Sequence, residues 1–378
     1  MKNFDSIKLN KKSVVVGSGV LKGKLDKELE KVKKFFPPNP SIGNFCSIGG
    51  MLGNNSSGSR SLKYGSMIDN VSEIIFIDGN GNKIKLPKKI KVYFNWKKLI
   101  LNKNINAIAI AAPPTLHKNI IEFGIKHNKH IFCEKPFTCS KKEANYVCQL
   151  IDKKKNISHM VNYEFIEISA FRFFKRQILD KKIKINKIDI NWFMNLKKSG
   201  STWKNNHNDG GGIMFNYVCH VIYYLEFLFG KITSTKSNIF SNTKENINSL
   251  NSIVFFKSGL SAKLKVKVCL KNFTVKPMHQ IKIISDKNVY LLRSDINSLF
   301  DQFEVIKIYK SSKKYLFKNK NNTTDFRIKP TFINSKKFSS WILKGKKQKP
   351  NFFDAQRIHL IIDQMLRSSN QGKEIYIE

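Results

Sequence analysis

The chain has 378 residues, of which 41% are hydrophobic and 12% aromatic, and its formal net charge is +41. That composition is typical of a globular protein with packed cores, and it excludes an intrinsically disordered chain. The charge comes almost entirely from lysines spread along the whole sequence, without an arginine-rich helix or a finger-like spacing of cysteine and histidine. We therefore expect a solvated basic surface and no specific nucleic-acid partner.

The cysteines and the apolar segments indicate the environment of the protein. Its six cysteines are scattered and form no CxxC pair, which predicts reduced thiols and no structural metal site. The most apolar stretch, Ile213–Phe229, is interrupted by Asn216, His220 and Glu226, so we expect it to fall short of a membrane helix. No signal-peptide pattern follows Lys2. We expect a cytoplasmic protein without a membrane partner.

Residues 1–87 form the first of three zones. Val14–Val16 predicts a short strand and Leu25–Phe35 a helix, and the middle of the zone is rich in glycine, serine and asparagine. The end of the zone predicts a β-hairpin, because Ile74–Ile77 and Ile84–Leu86 flank the turn sequence Asp78-Gly79-Asn80-Gly81. These features together indicate a small α+β segment.

A glycine pattern in this zone offers an alternative interpretation. Gly17, Gly19 and Gly23 follow a strand-like run and precede a helix, as does the phosphate-binding turn of a dinucleotide-binding fold. Their spacing is G-x-G-x-x-x-G, however, and the proline-rich segment from Pro37 to Pro40 cannot form a second parallel strand. These departures argue against a dinucleotide-binding start at this point.

Residues 88–162 alternate between helix and strand. The pattern predicts helices at Trp96–Asn102, His117–Asn128 and Ser140–Lys154, and buried strands at Ala107–Ala111 and His130–Cys133. Such a rhythm is typical of parallel βαβ units. We therefore expect a parallel sheet built from βαβ units.

Polar residues follow the two predicted strands of this zone. The first strand ends in a turn with Pro113, Pro114 and His117, and the second ends at Glu134 and Lys135. The carboxyl ends of parallel strands meet at one edge of a sheet, where such folds bind ligands. A Glu-Lys-Pro sequence alone could equally be a charged surface turn.

Residues from about 163 onward show longer strands with alternating polarity, then a late helix at Phe352–Ser368 and a terminal strand at Glu374–Ile377. This pattern predicts a large, mainly antiparallel sheet that is half covered by helices. A glycine run, Gly210–Gly212, precedes a helix on which Asn216 and His220 are four residues apart and should share one face. A histidine on an apolar helix is often a core residue, but here it follows the Glu-Lys-Pro turn in a consistent order.

Taken in that order, these motifs resemble the Gfo/Idh/MocA family of oxidoreductases from about residue 88 to the C-terminus. The resemblance implies that Lys135 holds a substrate hydroxyl and that His220 is the general acid and base, while Pro113, Pro114, His117 and Glu134 line the nicotinamide side. It also implies NAD or NADP as cofactor, a sugar or sugar nucleotide as substrate, and a possible homo-oligomer. Many members have aspartate where this chain has Asn216. An asparagine side chain can orient a hydroxyl but cannot relay a proton.

The glycine-rich zone resembles a different family, the FAD-linked oxidases with a PCMH-type FAD-binding domain. The similarity covers about 75 residues, and it implies that glycines let backbone N–H groups approach the flavin closely. A flexible surface loop is the alternative. The residues implied to bind FAD are Gly49, Gly50, Asn55, Gly58, Tyr64 and Gly65.

The sequence therefore predicts an α/β protein of three parts: a partial PCMH-type α+β segment at 1–87, a truncated Rossmann-like domain at 88–162, and an α+β substrate domain with a large, mainly antiparallel sheet at 163–378. The expected function is an NAD(P)-dependent sugar oxidoreductase with catalytic residues Lys135, His220 and Asn216. The usual G-x-G-x-x-G unit is missing, which should weaken the binding of the dinucleotide. The alternative is a non-catalytic fusion relic of two adjacent oxidoreductase genes.

Overall fold

The computed structural model describes residues 4–11, 13–40, 43–77, 83–86, 93, 95–179, 183–195, 203–243, 246–269, 276–294, 302–318 and 327–377. The chain divides into two compact units, Met1–Val92 and Tyr93–Glu378. The predicted division into three domains, with boundaries after residues 87 and 162, stays a prediction.

The first unit combines two short β-hairpins with small helices. Its core consists of six buried apolar side chains, contributed mainly by the first helix and by the segments that follow it. The predicted hairpin near residue 80 is confirmed in its two antiparallel strands, while its turn residues Asp78 to Gly81 lie outside the described residues. The elements are β1 (Ile7–Leu9), β2 (Val14–Val16), α1 (Lys22–Glu30), α2 (Ile48–Gly53), α3 (Ser61–Tyr64), α4 (Met67–Asn70), β3 (Ile74–Ile77) and β4 (Lys83–Leu86).

The second unit begins with a parallel sheet of three strands in the order β5-β6-β7. Helices alternate with these strands, as the sequence predicts. The helix after β5 begins at Pro114, three residues before its predicted start, because proline at the first position of a helix needs no N–H partner. The elements are α5 (Trp96–Leu101), β5 (Ala107–Ile110), α6 (Pro114–Lys126), β6 (His130–Cys133), α7 (Lys141–Asp152) and β7 (His159–Val161).

A second sheet of nine strands follows, in the order β15-β14-β13-β12-β8-β11-β10-β9-β16. Every neighbouring pair is antiparallel except β8 and β11, which run parallel with Ile190 opposite Leu264. The elements are α8 (Ser169–Phe174), β8 (Ile185–Asn195), α9 (Cys219–Phe229), β9 (Ile232–Thr243), β10 (Asn246–Phe256), β11 (Ser261–Cys269), β12 (Met278–Ser285), β13 (Val289–Ser294), β14 (Phe303–Tyr309), β15 (Ser312–Phe317), α10 (Ile328–Lys344), α11 (Phe352–Gln371) and β16 (Ile375–Tyr376).

One apolar core connects the two sheets of the second unit. It contains side chains of the parallel strands, of α9 and α11, and of the inner face of the nine-stranded sheet. The strand β11 shows why the large sheet has one buried face: Ala262, Leu264 and Val266 are buried, whereas the lysines between them are exposed. A smaller cluster, in which Phe132 meets Phe338, attaches α10 to the parallel sheet.

The predicted fold class is confirmed: a Rossmann-like parallel sheet and a large, mainly antiparallel sheet form one α/β protein. The sequence interpretation did not include α10, whose apolar residues are interspersed with lysine and serine. It also missed a local change of winding before α9, because the segment Met214–Val218 is a π-helix. That change bears on the candidate site, since the segment contains Asn216.

One helical stretch in the described part of the chain, His207–Phe229, is long and apolar enough to cross a membrane. This criterion concerns length and composition only, and Asn216, His220 and Glu226 do interrupt the apolar run. Since 72% of its most apolar window is buried inside the protein, the stretch resembles a core helix of a globular fold. The absence of a membrane partner and the cytoplasmic location stay predictions.

Candidate active site

The candidate site lies at the carboxyl ends of β6 and β7. The backbone N–H of Glu134 donates to the carbonyl of Ile110 (2.8 Å), and the N–H of Asn162 donates to the carbonyl of Cys133 (2.8 Å). These two bonds continue the parallel ladder by one residue beyond each strand. They bring Glu134 and Asn162 to the same edge, where Asn162 Nδ2 donates to Glu134 Oε1 (2.8 Å).

Helix α10 holds Asn162 from the other side. The Asn162 amide also donates to Thr331 Oγ1 (3.2 Å), and its oxygen accepts a hydrogen bond from Asn334 Nδ2 (3.1 Å). Asn162 and Asn334 are buried, so these bonds satisfy polar groups that would otherwise be costly to bury. The orientation of Glu134 therefore depends on a residue network that reaches α10.

Lys135 follows Glu134 and is half-buried. Its Nζ donates to the backbone carbonyl of Asn216 (3.1 Å). That carbonyl belongs to the π-helical segment before α9, and π-helical turns occur frequently at functional sites. The ammonium of Lys135 is thereby held between the edge of the parallel sheet and the segment that leads to His220.

His220 is the histidine of α9, and it is buried, with 3% of its surface exposed. Its Nδ1 lies 3.9 Å from Oε2 of Glu164, and neither atom has a hydrogen-bond partner among the described residues. Burial lowers the pKa of His220 well below its ordinary value, and the Lys135 ammonium and His279 lower it further. The imidazole is therefore neutral at neutral pH and can accept a proton.

Glu164 is a site residue that sequence reasoning missed. It begins a short 3-10 helix, Glu164–Glu167, directly after β7 and the Asn162-Tyr163 pair, and 8% of its surface is exposed. Burial raises the pKa of its carboxyl to about 7, although the Lys135 ammonium acts in the opposite direction. The available signal was its position, since it is the first acidic residue after the third parallel strand.

Asn216 lies in the π-helical segment and His220 in α9, so the winding of the chain changes between them. Its side-chain amide donates to the carbonyl of Lys204 (2.8 Å), while its own carbonyl accepts the bond from Lys135. The expectation that Asn216 and His220 share one face stays a prediction. The role of Asn216 toward a substrate stays a prediction.

The residues predicted for the nicotinamide side differ in their surroundings. Pro113 is exposed, whereas Pro114 is buried at the start of α6 and packs against Gly210, where a Cβ atom would lie 2.7 Å from the proline ring. His117 is fully buried, and its ring nitrogens face two backbone carbonyls: Nδ1 that of Pro136 (2.9 Å) and Nε2 that of Ala112 (2.8 Å). His117 thus joins the turns that follow β5 and β6.

The predicted flavin residues lie in the first unit. A Cβ atom at Gly58 would lie 1.9 Å from the carbonyl oxygen of Asn39, and one at Gly49 would lie 2.9 Å from that of Ser18. Glycine is therefore required there for the packing of the chain against itself. Asn55 Oδ1 accepts hydrogen bonds from the backbone N–H of Ile68 and from the hydroxyl of Ser66.

The remaining three predicted flavin residues are placed as follows. Gly50 lies within α2, Tyr64 is exposed at the end of α3, and Gly65 has a positive φ of 78°. A role of any of these residues toward FAD stays a prediction. The described residues of the chain contain no group of three or more histidine, cysteine or acidic side chains that could hold a metal ion.

The two sheets and their helices define the class of the protein as α/β. Residues 175–377, more than half of the chain, match the C-terminal alpha/beta domain of the Gfo/Idh/MocA oxidoreductase family, and residues 50–163 match the NAD-binding Rossmann fold of that family. Residues 1–86 match an FAD binding domain. The chain therefore belongs to the Gfo/Idh/MocA oxidoreductase family, with an FAD-binding-type segment at its N-terminal end.

Two curated proteins are similar to parts of this chain. An uncharacterized oxidoreductase of Synechocystis is 26% identical over 152 residues, covering 39% of this chain and 40% of the relative. The mitochondrial D-lactate dehydrogenase (cytochrome) of Arabidopsis thaliana is 33% identical over 91 residues, covering 24% of this chain and 16% of the relative. The chain spans about two fifths of the length of the first curated oxidoreductases it matches.

A solved structure shares the fold over most of the chain. Levoglucosan dehydrogenase in complex with NADH and levoglucosan superposes with a TM-score of 0.65 at 18% identity, covering 75% of this chain and 84% of that one. This similarity supports the same overall architecture.

Proposed function

We propose that the chain is an NAD(P)-dependent oxidoreductase that acts on a hydroxyl group of a sugar or sugar nucleotide. One observation carries this proposal: the Lys135 ammonium, after the carboxyl end of β6, binds the carbonyl of Asn216, and the buried His220 of the following helix has its Nδ1 3.9 Å from Glu164, which follows β7. A cation beside a neutral base is the pair of groups that alcohol oxidation requires.

The two residues have complementary roles in this proposal. His220 is neutral at neutral pH because its pKa is lowered, so it accepts the hydroxyl proton of the substrate. The ammonium of Lys135 stabilises the negative charge that develops on the same oxygen. A bound nicotinamide supplies the hydride acceptor. Asn216 orients the substrate, since an amide cannot relay the proton.

The residues at the sheet edge fit the nicotinamide end of such a cofactor. Pro113, Pro114 and Glu134 follow two neighbouring parallel strands, where open α/β sheets bind nucleotides. The pyrophosphate end is different, because the sequence of residues 93–378 contains no G-x-G-x-x-G motif. We therefore expect NAD or NADP to bind with reduced affinity.

The substrate class follows from the neighbouring structure. Levoglucosan dehydrogenase was solved in complex with NADH and levoglucosan, and we extend the sugar class, but not the particular sugar, to this chain. FAD binding by the first unit is a separate part of the proposal, supported by the match of residues 1–86 to an FAD binding domain.

A non-catalytic fusion relic is the second candidate, and the missing glycine motif favours it. Thermal unfolding in the presence of NAD⁺, NADH, NADP⁺, NADPH and FAD distinguishes the two. A ligand that binds the folded chain stabilises it, by about 2.7 kcal/mol at a concentration one hundred times its Kd. We expect a concentration-dependent rise in Tm with a nicotinamide dinucleotide but not with ATP, and reduction of the oxidised cofactor when a panel of sugars is added. A Tm unchanged by every dinucleotide would support the relic.

A further inference from the structure

The pair formed by Glu164 and His220 is unusual for the interior of a protein. Both side chains are buried and their nearest polar atoms are 3.9 Å apart. Within the part of the chain that the structure describes, Glu164 Oε2 and His220 Nδ1 have no hydrogen-bond partner. A buried polar atom without a partner lowers the stability of the folded chain, because it has lost its hydrogen bonds to water. Two such atoms that face each other indicate a functional arrangement, since a core without a chemical role would satisfy or replace them.

We propose that Glu164 is a positioning residue that orients the imidazole of His220 and balances its charge when the imidazole takes up the substrate proton. This inference rests on the proposed function and deepens it, because it names the carboxylate that Asn216 does not provide. The carboxylate comes from a different element, the 3-10 helix after β7. Sequence spacing along α9 alone could not reveal it.

The charged groups around the pair favour this role. Lys135 acts on both members from the turn after β6, and His279 of β12 acts on His220. Glu134 and Arg327 act on Glu164 with opposite signs. With the carboxyl protonated, the pair is neutral; with it ionised, the imidazole gains an anionic neighbour that favours its protonated form.

In the proposed step, the substrate O–H bond breaks and its proton goes to the imidazole at Nε2. The C–H bond on the same carbon breaks, and its electron pair leaves with the hydrogen as a hydride, for which a bound nicotinamide would be the acceptor. A carbonyl forms on the substrate carbon. His220 is then an imidazolium whose Nδ1–H faces Glu164, and a hydrogen bond between them needs the atoms roughly 1 Å closer than in the free protein. Glu164 stays ionised throughout, so it stabilises the charge without taking the proton.

The pair is tested without substrate by following the His220 imidazole nitrogens by NMR as a function of pH, with assignment from a His220→Gln variant. In the wild type we expect an inflection near pH 7, where Glu164 ionises. Glu164→Gln should lack that inflection. Glu122→Gln, which removes a carboxylate on α6, should retain it. An inflection that persists in Glu164→Gln, or that is missing from the wild type, overturns the inference.

Two further variants and a kinetic readout separate positioning from a structural role. Glu164→Asp keeps a carboxylate at greater distance, so it should retain a displaced inflection, and it replaces Glu164→Gln if that variant does not fold. With a turned-over sugar, Glu164→Gln should lower kcat about 10- to 100-fold, with KM nearly unchanged, and should remove the rise in rate through pH 7. If Glu164→Gln leaves kcat and the pH profile unchanged, the inference is overturned, whereas the proposed function is not. Coupling seen by NMR in a protein that reduces no cofactor overturns only the proposed function.

Discussion

Lys135 connects three polar features of the candidate site. Its ammonium bonds to the backbone of Asn216, lowers the pKa of His220 and opposes the rise in the pKa of Glu164. Burial is the largest cause of both pKa shifts, and this single positive charge adds to the one and opposes the other. Its effect on catalysis should consequently exceed the loss of one hydrogen bond.

Substitution of Lys135 tests this directly. Lys135→Met keeps the apolar length of the side chain but removes the charge, so the developing oxyanion loses its cation and the pKa of Glu164 rises further. We expect kcat to fall by about two to four orders of magnitude, while the circular dichroism spectrum stays that of the wild type. Lys118→Met on α6 removes the same charge elsewhere and should keep wild-type turnover. A Lys135→Met enzyme with near wild-type kcat would falsify the assignment.

Individual site residues were predictable to different degrees. Glu134 and Lys135 could be placed at a sheet edge because they directly follow a short apolar strand. The pairing of His220 with Glu164 could not be predicted, because the two residues are 56 positions apart in the sequence and no local pattern relates them. His117 was expected at the nicotinamide side, yet both its ring nitrogens face backbone carbonyls, which only the folded chain could show.

At the scale of elements, α10 supports the site although it contributes no residue to the proposed chemistry. Asn162 receives one bond from Asn334 and gives one to Thr331, and it also donates to Glu134. Helix and sheet edge are thus joined by a polar network embedded beside the Phe132 and Phe338 contact. Removing the hydrogen bonds that α10 contributes to this network should therefore lower the free energy of unfolding.

Two substitutions measure this network. Thr331→Val removes one acceptor and should lower the free energy of unfolding by about 1 kcal/mol, whereas Asn162→Leu leaves Glu134 and Asn334 without their partner and should cost about 2–4 kcal/mol. Urea unfolding followed by tryptophan fluorescence gives both values. Thr331→Ser keeps the hydroxyl and serves as the control. Equal costs for Thr331→Val and Asn162→Leu would contradict a network centred on Asn162.

The elements themselves were predictable where pattern and physics agree. Alternation of apolar strands with helices gave the parallel sheet, and period-two polarity gave strands such as β11. The π-helical segment Met214–Val218 was not predictable, because its residues suit an ordinary helix and only the packed chain selects the wider winding. Helix α10 was missed because its apolar face is interrupted by polar residues that the network requires.

At the scale of the whole molecule, the formal charge of +41 coexists with a buried interior that contains several neutral histidines. Lys263, Lys265 and Lys267 show how the charge is accommodated, since they alternate with buried residues along β11 and remain exposed. Burial lowers the pKa of His159 and of His359 to about 3. The interior is therefore the part of the protein that responds to acid.

This gives a pH dependence with a definite sign. A histidine whose pKa is lowered on folding binds a proton first in the unfolded state, so stability falls as the pH drops below about 6.5. At pH 5, His159 and His359 should each cost up to about 2 kcal/mol relative to pH 7.5. Glu164 acts oppositely, because its raised pKa makes stability fall as the pH rises from about 4.5 to 7.

Urea unfolding at pH 7.5 and at pH 5 measures the balance of these terms. We expect the wild type to lose stability at the lower pH, since the buried histidines outweigh Glu164, and we expect His359→Gln to lose less. Equal losses for the two proteins would show that His359 does not carry the effect. A wild type that becomes more stable at pH 5 would mean that Glu164 dominates.

The two backbone hydrogen bonds that extend the parallel ladder bear on how the function of such a site can change in evolution. Glu134 and Asn162 are placed by their main-chain N–H groups, which every residue except proline possesses. Position is thus separated from chemical identity at these two places. Mutation can exchange the side chains there while the frame stays in register, so a sheet edge of this kind can acquire a new reaction by substitution alone.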